Sequence, residues 1–194
     1  MQRLSPDDLL TLEAYSAQRT ELRKRALAHK RIRTLHLGEH VTLLFEDSIT
    51  VQAQVQEMLR IERIFEVAGI QDELDAYNPL IPDGSNLKAT LLIEFPDPVQ
   101  RTAELARLRG IERAFYAEAV GQGRAVVHAD EDLDRSDGDK TSAVHFLRFE
   151  FAPDTIVALR DGAALVFGID DARLPQRIET SAELREVLLR DFDY

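Results

Sequence analysis

The 194-residue sequence predicts an α+β protein: a mostly antiparallel sheet with packed helices and an N-terminal helical segment. Three observations point there. Apolar periodicity switches along the chain between the helical repeat and strict alternation. Helix-like and strand-like stretches are mixed without the regular alternation that a parallel sheet requires. Short turn signals, Gly38-Glu39 and Gly121-Gln122-Gly123, join neighbouring alternating runs, as hairpins do.

Taken in order, Ser5-Pro6-Asp7-Asp8 reads as an N-cap, a proline at the first helical position and acids on the positive helix end. A second helical stretch is expected over 20–33. Residues 32–37 and 40–46 read as a hairpin, and Asp47 or Ser48 can cap a long helix over 49–68. One more helical turn is expected over 72–77. The segment 77–86 is punctuated by Pro79, Pro82 and Gly84 and reads as a loop. A strand over 88–95 and a helix over 98–108 follow. Further on, 112–120 and 124–129 read as a hairpin, 142–151 and 164–170 read as strands, and 153–160 as a short helix ended by Gly162. Thr180 and Glu183 suggest a capping box for a last helix reaching Arg190. A single domain over 1–194 is expected, with a weak boundary near residue 110.

Composition narrows the chemistry. There is no cysteine, which excludes disulfides, a thiol nucleophile and an Fe–S cluster on this chain. No apolar run approaches the ~18 residues of a membrane span, and 1–8 lacks a signal-peptide core, so a cytoplasmic protein is expected. A formal net charge of −11 disfavours nucleic acid as a partner. The first 40 residues run the other way: eight Lys/Arg stand against five acids. Arg19, Arg23, Lys24, Arg25, Lys30 and Arg31 crowd one stretch, while 130–139 holds six acids. Two readings fit. The basic helix lies against its own acidic body, or it docks an acidic protein or anion.

Candidate site residues come from helix arithmetic and strand endings. On the 49–68 helix, Glu62 falls about 20° from Val51, inside the arc of Val55, Met58 and Phe65, with Glu66 beside it. A carboxylate aimed into a core must be protonated, paired or bound to a cation. Glu62 is therefore a candidate general acid/base, unless Arg25 or Arg33 satisfies it or the helix is phased differently. Three strands end alike, at Glu46, Glu94 and Glu150. If those strands are neighbours, the carboxylates gather at one edge with Glu62 above. His128 and His145 would then add imidazole and shift preference toward Fe, Mn or Zn. A core His145 bonded to a backbone carbonyl is the plainer reading. The run Asp132, Asp134, Ser136 imitates a calcium loop but has Asp137 and Ala143 where glycine and glutamate are needed. HExxH, the phosphate loop and the Gly-x-Ser-x-Gly elbow are absent from the sequence.

The strings AHKRIRTLHLGEHVTLLFED (28–47), VQEMLRIERIFE (55–66), DELDAYNPLIPDGSNLKATLLIEFPD (72–97) and DKTSAVHFLRFEF (139–151) carry a resemblance. They are similar to a bacterial domain-of-unknown-function family whose genes lie beside those for rubrerythrin and a cysteine-rich Fe–S oxidoreductase. The resemblance covers essentially the whole chain. It implies an accessory role in peroxide or iron-linked redox metabolism. Joined to the residue readings above, the expectation is a protein that docks through the basic 19–33 segment and holds a metal at a Glu/His site. It supplies no catalytic residues. Two alternatives stay open: an enzyme using Glu62 in a pocket between the 40–46 and 142–151 strands with 77–86 as a lid, or an interaction module without chemistry of its own.

Overall fold

A computed structural model describes residues 3–133, 135 and 139–193. These form six α-helices and nine β-strands in two antiparallel sheets. The five-stranded sheet contains β1 (Thr34–His36), β2 (Val41–Phe45), β3 (Asn86–Ile93), β6 (Val126–Ala129) and β7 (Val144–Glu150), ordered β1-β2-β3-β7-β6. The four-stranded sheet contains β4 (Phe115–Ala119), β5 (Gly123–Arg124), β8 (Leu165–Ile169) and β9 (Gln176–Glu179), ordered β5-β4-β8-β9. Strands from both sides of residue 110 thus share the larger sheet.

Alternation builds the core between the sheets. Leu43, Phe45, Leu91, Leu147 and Phe149 point inward from the larger sheet; Ala117, Leu165, Phe167 and Ile169 join them from the smaller one. The Phe167 ring centroid lies 5.0 Å from that of Phe45 and 5.2 Å from that of Phe149, edge-on to the latter. Helices α4 (Pro98–Arg107), α5 (Pro153–Arg160) and α6 (Ala182–Leu189) add Leu105, Leu159, Leu184 and Leu188 to the same cluster. The α+β, antiparallel expectation holds, with the strands divided between two sheets. A strand begun at Gly123 leaves the smaller sheet and enters the larger one after Ala125, whose N–H still donates to Ala117 O.

A second apolar cluster holds the helical segment together. It joins Val51, Val55 and Leu59 of α2 (Ser48–Glu62), Leu74 of α3 (Val67–Tyr77), and Ile81. Leu12 of α1 (Leu12–Arg31) packs against it. Several expected boundaries move. Ser5–Asp8 closes only a 3-10 turn, and one 20-residue helix, α1, begins at a Thr11 cap instead of near residue 20. Asp47 caps α2 by accepting from Thr50 N at 2.9 Å. The long 49–68 helix breaks at Arg63, which takes left-handed angles (φ 57°, ψ 41°), so α3 is longer than one turn. The 77–86 segment is pinned rather than lid-like. Lys88 Nζ donates to Pro79 O at 2.7 Å and Ile81 O at 2.9 Å, and Asn78, Ile81 and Pro82 are buried. Ser181, not Thr180, caps α6, and β9 was not anticipated. Asp134, Ser136 and Asp137 of the calcium-like run lie outside the described residues.

Candidate interaction groove

The Glu62 expectation fails on burial. Glu62 is the last residue of α2 and is exposed, as are Glu66 and the neighbouring Phe65 at 73%. The apolar arc is real along Val51, Val55 and Leu59, but the chain reverses at Arg63, one residue beyond Glu62, and the arc continues into solvent. Neither suggested arginine reaches it: Arg25 lies 3.4 Å from Glu21, and Arg33 is held elsewhere. Glu62 acts instead on Glu73, whose carboxyl is raised by burial first and then by the charges of Glu62 and Asp72.

The proposed carboxylate and histidine cluster is dispersed by antiparallel register. Val41 pairs with Ile93 and Phe45 with Ala89, so Glu46 and Glu94 project from opposite ends of the sheet. Each group has a local partner. Glu46 accepts from the hydroxyls of Thr50 and Thr90, Glu94 from Thr42 Oγ1 at 2.6 Å, and Glu150 from Asn86 Nδ2 and Arg148. His128 pairs across the strands with Arg148, not with His145. His145 is fully buried, with Nδ1 2.6 Å from Asp130 Oδ2 and Nε2 3.1 Å from Ser142 O and 2.9 Å from Thr141 Oγ1. This is the plainer reading of a core histidine. Among the described residues no three His, Asp or Glu side chains are arranged to hold a metal.

The basic segment divides into two sets. Arg19 faces inward and clamps α1 to α2, its Nε donating to Glu57 Oε1 at 2.8 Å. Arg60 and the Tyr15 hydroxyl converge on the same carboxylate. Chiefly through Arg19, Glu57 is lowered to about 2, while burial and then Glu57 push the Tyr15 phenol up to about 12. This corrects Arg19 from a docking residue to a packing one. Arg23, Lys24, Lys30 and Arg31 make no ion pair among the described residues, and Arg25 meets only Glu21. A basic helix lying wholly on its own acidic body is therefore not what forms.

Between the helices runs a groove of about 370 Å³. Contacts of Tyr15 with Glu57 and of His29 with Asp47 show that α1 and α2 run antiparallel. Leu22, Ala26 and Leu27 face Ile49 and Ala53 across it, with Leu10 at one margin. Leu27 is 55% exposed and Ile49 49%. Arg23, Arg25 and Lys30 also line it; Lys24 and Arg31 do not. Small residues at 26 and 53 leave the space open, and the charge of Glu57 is already neutralised. The surface is apolar inside and cationic along one side.

With that geometry in place, comparison with known proteins adds one result. The family described as "Protein of unknown function (DUF3501)" matches residues 3–192. The chain belongs to the DUF3501 family. A crystal structure of a "novel protein of unknown function" from Burkholderia pseudomallei K96243 is 47% identical, with a TM-score of 0.93 over 99% of this chain and 100% of that one. A comparison with curated proteins yields no match. No helix among the described residues of this DUF3501 chain is long and apolar enough to cross a membrane.

Sequence reasoning missed two buried polar clusters of the DUF3501 chain. Arg33 donates from Nη2 to Asp191 and from Nε to Phe45 O, and Nη1 lies 3.5 Å from Asp47, which also binds His29 Nε2 at 2.6 Å. Around His145 stand Asp130, Thr141 and the buried Glu112. The partners are 158 and 15 residues apart in the two key pairs, so no local spacing signals them.

Proposed function

We propose that this protein is a docking module, binding an acidic partner protein through the groove between α1 and α2. The observation that carries it is the juxtaposition of exposed Leu27 and Ile49 with Arg23 and Lys30, cations without an ion pair among the described residues. A lone exposed leucine is ordinary, but apolar surface rimmed by uncommitted charge is what a partner site needs. The strand-end glutamates and both core clusters are engaged within the fold, whereas the groove offers apolar surface beside Arg23 and Lys30. The redox role implied by the family resemblance gives two partners to test first, rubrerythrin and the Fe–S oxidoreductase.

The test is titration calorimetry of the purified chain against each of those proteins. Binding is expected for at least one, weakened roughly tenfold or more by Arg23→Glu with Lys30→Glu. Unchanged affinity of the double variant, or no binding to either protein, overturns the reading.

A further inference from the structure

We infer that the groove recognises a two-turn amphipathic helix carrying carboxylates along one flank only. This rests on the docking reading and specifies its ligand. Apart from Tyr15 at the Glu57 end, the lining runs from Leu22 to Lys30 on α1 and from Ile49 to Glu57 on α2. Eight residue steps of helix measure about 12 Å, so an occupant lying along the groove offers about two turns. An antiparallel helix pair with a shallow apolar trough is filled most fully by a third helix. Its residues at i, i+3 or i+4, and i+7 then point down between the walls.

The two walls differ in charge, and that difference orients the ligand. On the α1 side stand Arg23, Arg25 and Lys30; on the α2 side stand the neutral amides of Gln52 and Gln56, each already bonded to the segment before α1. An occupant therefore gains from carboxylates on the flank facing α1 and nothing from acids on the other. The knot of Tyr15, Arg19 and Arg60 around Glu57 closes one end. The small side chains of Ala26 and Ala53 leave room for leucine-sized anchors.

The experiment uses the full chain and synthetic helices of about 16 residues, long enough for marginal helicity. One carries Leu anchors at the spacing above with Glu on one flank. A second has the same flank in Lys, and a third has proline at its centre. Fluorescence anisotropy is expected to show saturable binding of the acidic helix, weakened by salt, with the Lys and Pro peptides at least roughly tenfold weaker. Ala53→Leu, a substitution of a helix former by another, is expected to fill the trough and abolish binding while circular dichroism stays unchanged. Equal binding of acidic and basic helices, undiminished binding by Ala53→Leu, or preference for anionic vesicles overturns the inference. So does self-association through the groove that Arg23→Glu abolishes while no peptide competes. If no peptide binds yet a full-length partner is captured in an Arg23- and Lys30-dependent manner, the helix specification fails and the docking reading stands.

Discussion

Gly168 shows how tightly a single position can be set. It lies on β8 where an added Cβ would press into the Tyr116 ring and hydroxyl and come within 2.5 Å of Gln176 O. Arg124 in turn sits over the same ring, 3.9 Å from its centroid, so the tyrosine has little room to yield. Gly168→Ala is expected to cost about 1–3 kcal/mol, read as a lower urea midpoint at unchanged slope. Asp191 makes a different kind of statement. Burial, partly offset by Arg33, pushes its carboxyl up to about 6 from 3.8, and its Oδ1 is buried without a hydrogen-bond partner among the described residues. The folded state then holds a proton that the unfolded state releases. Its contribution is fully present below pH 3.8 and is lost as pH rises through 6. Asp191→Asn is expected to remove that decline, worth about 3 kcal/mol at most. Urea titrations of both proteins between pH 4 and 7 check it; parallel pH profiles would refute it.

At the level of elements, the contact of α1 with α2 depends on Glu57. Its carboxyl is lowered to about 2 from 4.5, so the stability it contributes is present above pH 4.5 and is lost as pH falls through 2. The side chain is 21% exposed, and screening reduces the effect to about 1–2 kcal/mol. Glu57→Gln is expected to lose that amount at pH 7 and little at pH 2, measured by thermal unfolding. The break between α2 and α3 offers a gain instead. Arg63 holds left-handed angles after the last turn of α2, where an L side chain is strained and glycine is not. Arg63→Gly is expected to stabilise by about 1 kcal/mol, and Arg63→Val to destabilise. Calorimetric midpoints moving in the same direction for both would contradict this.

For the whole molecule, charge is the organising quantity. A chain of net −11 sets Arg23 and Lys30, which make no ion pair among the described residues, on one helical groove, so an acidic partner meets attraction there and repulsion over much of the remaining surface. Association should be orientation-selective. Stopped-flow rates are expected to fall steeply with added salt while dissociation changes little; a salt-independent rate would argue against electrostatic steering.

Much of this architecture can be read locally. Asp47 before α2, Pro98 and Pro153 at helix starts, and the alternation of β2, β3 and β7 follow from caps, fixed dihedrals and a two-residue period, which depend on neighbours only. The basic character of 19–33 was equally plain. Tertiary structure alone decided which of those cations turn inward, because Arg19 meets Glu57 only after two helices pack. It also decided that Glu46 and Glu94 part company, since strand direction, not strand content, sets which ends meet. Glu62 was misplaced for a related reason: periodicity tells which face of a helix is apolar but not how far the neighbouring element covers it. Residue type and spacing act over a few positions, whereas a site is a product of contacts between segments far apart in the chain.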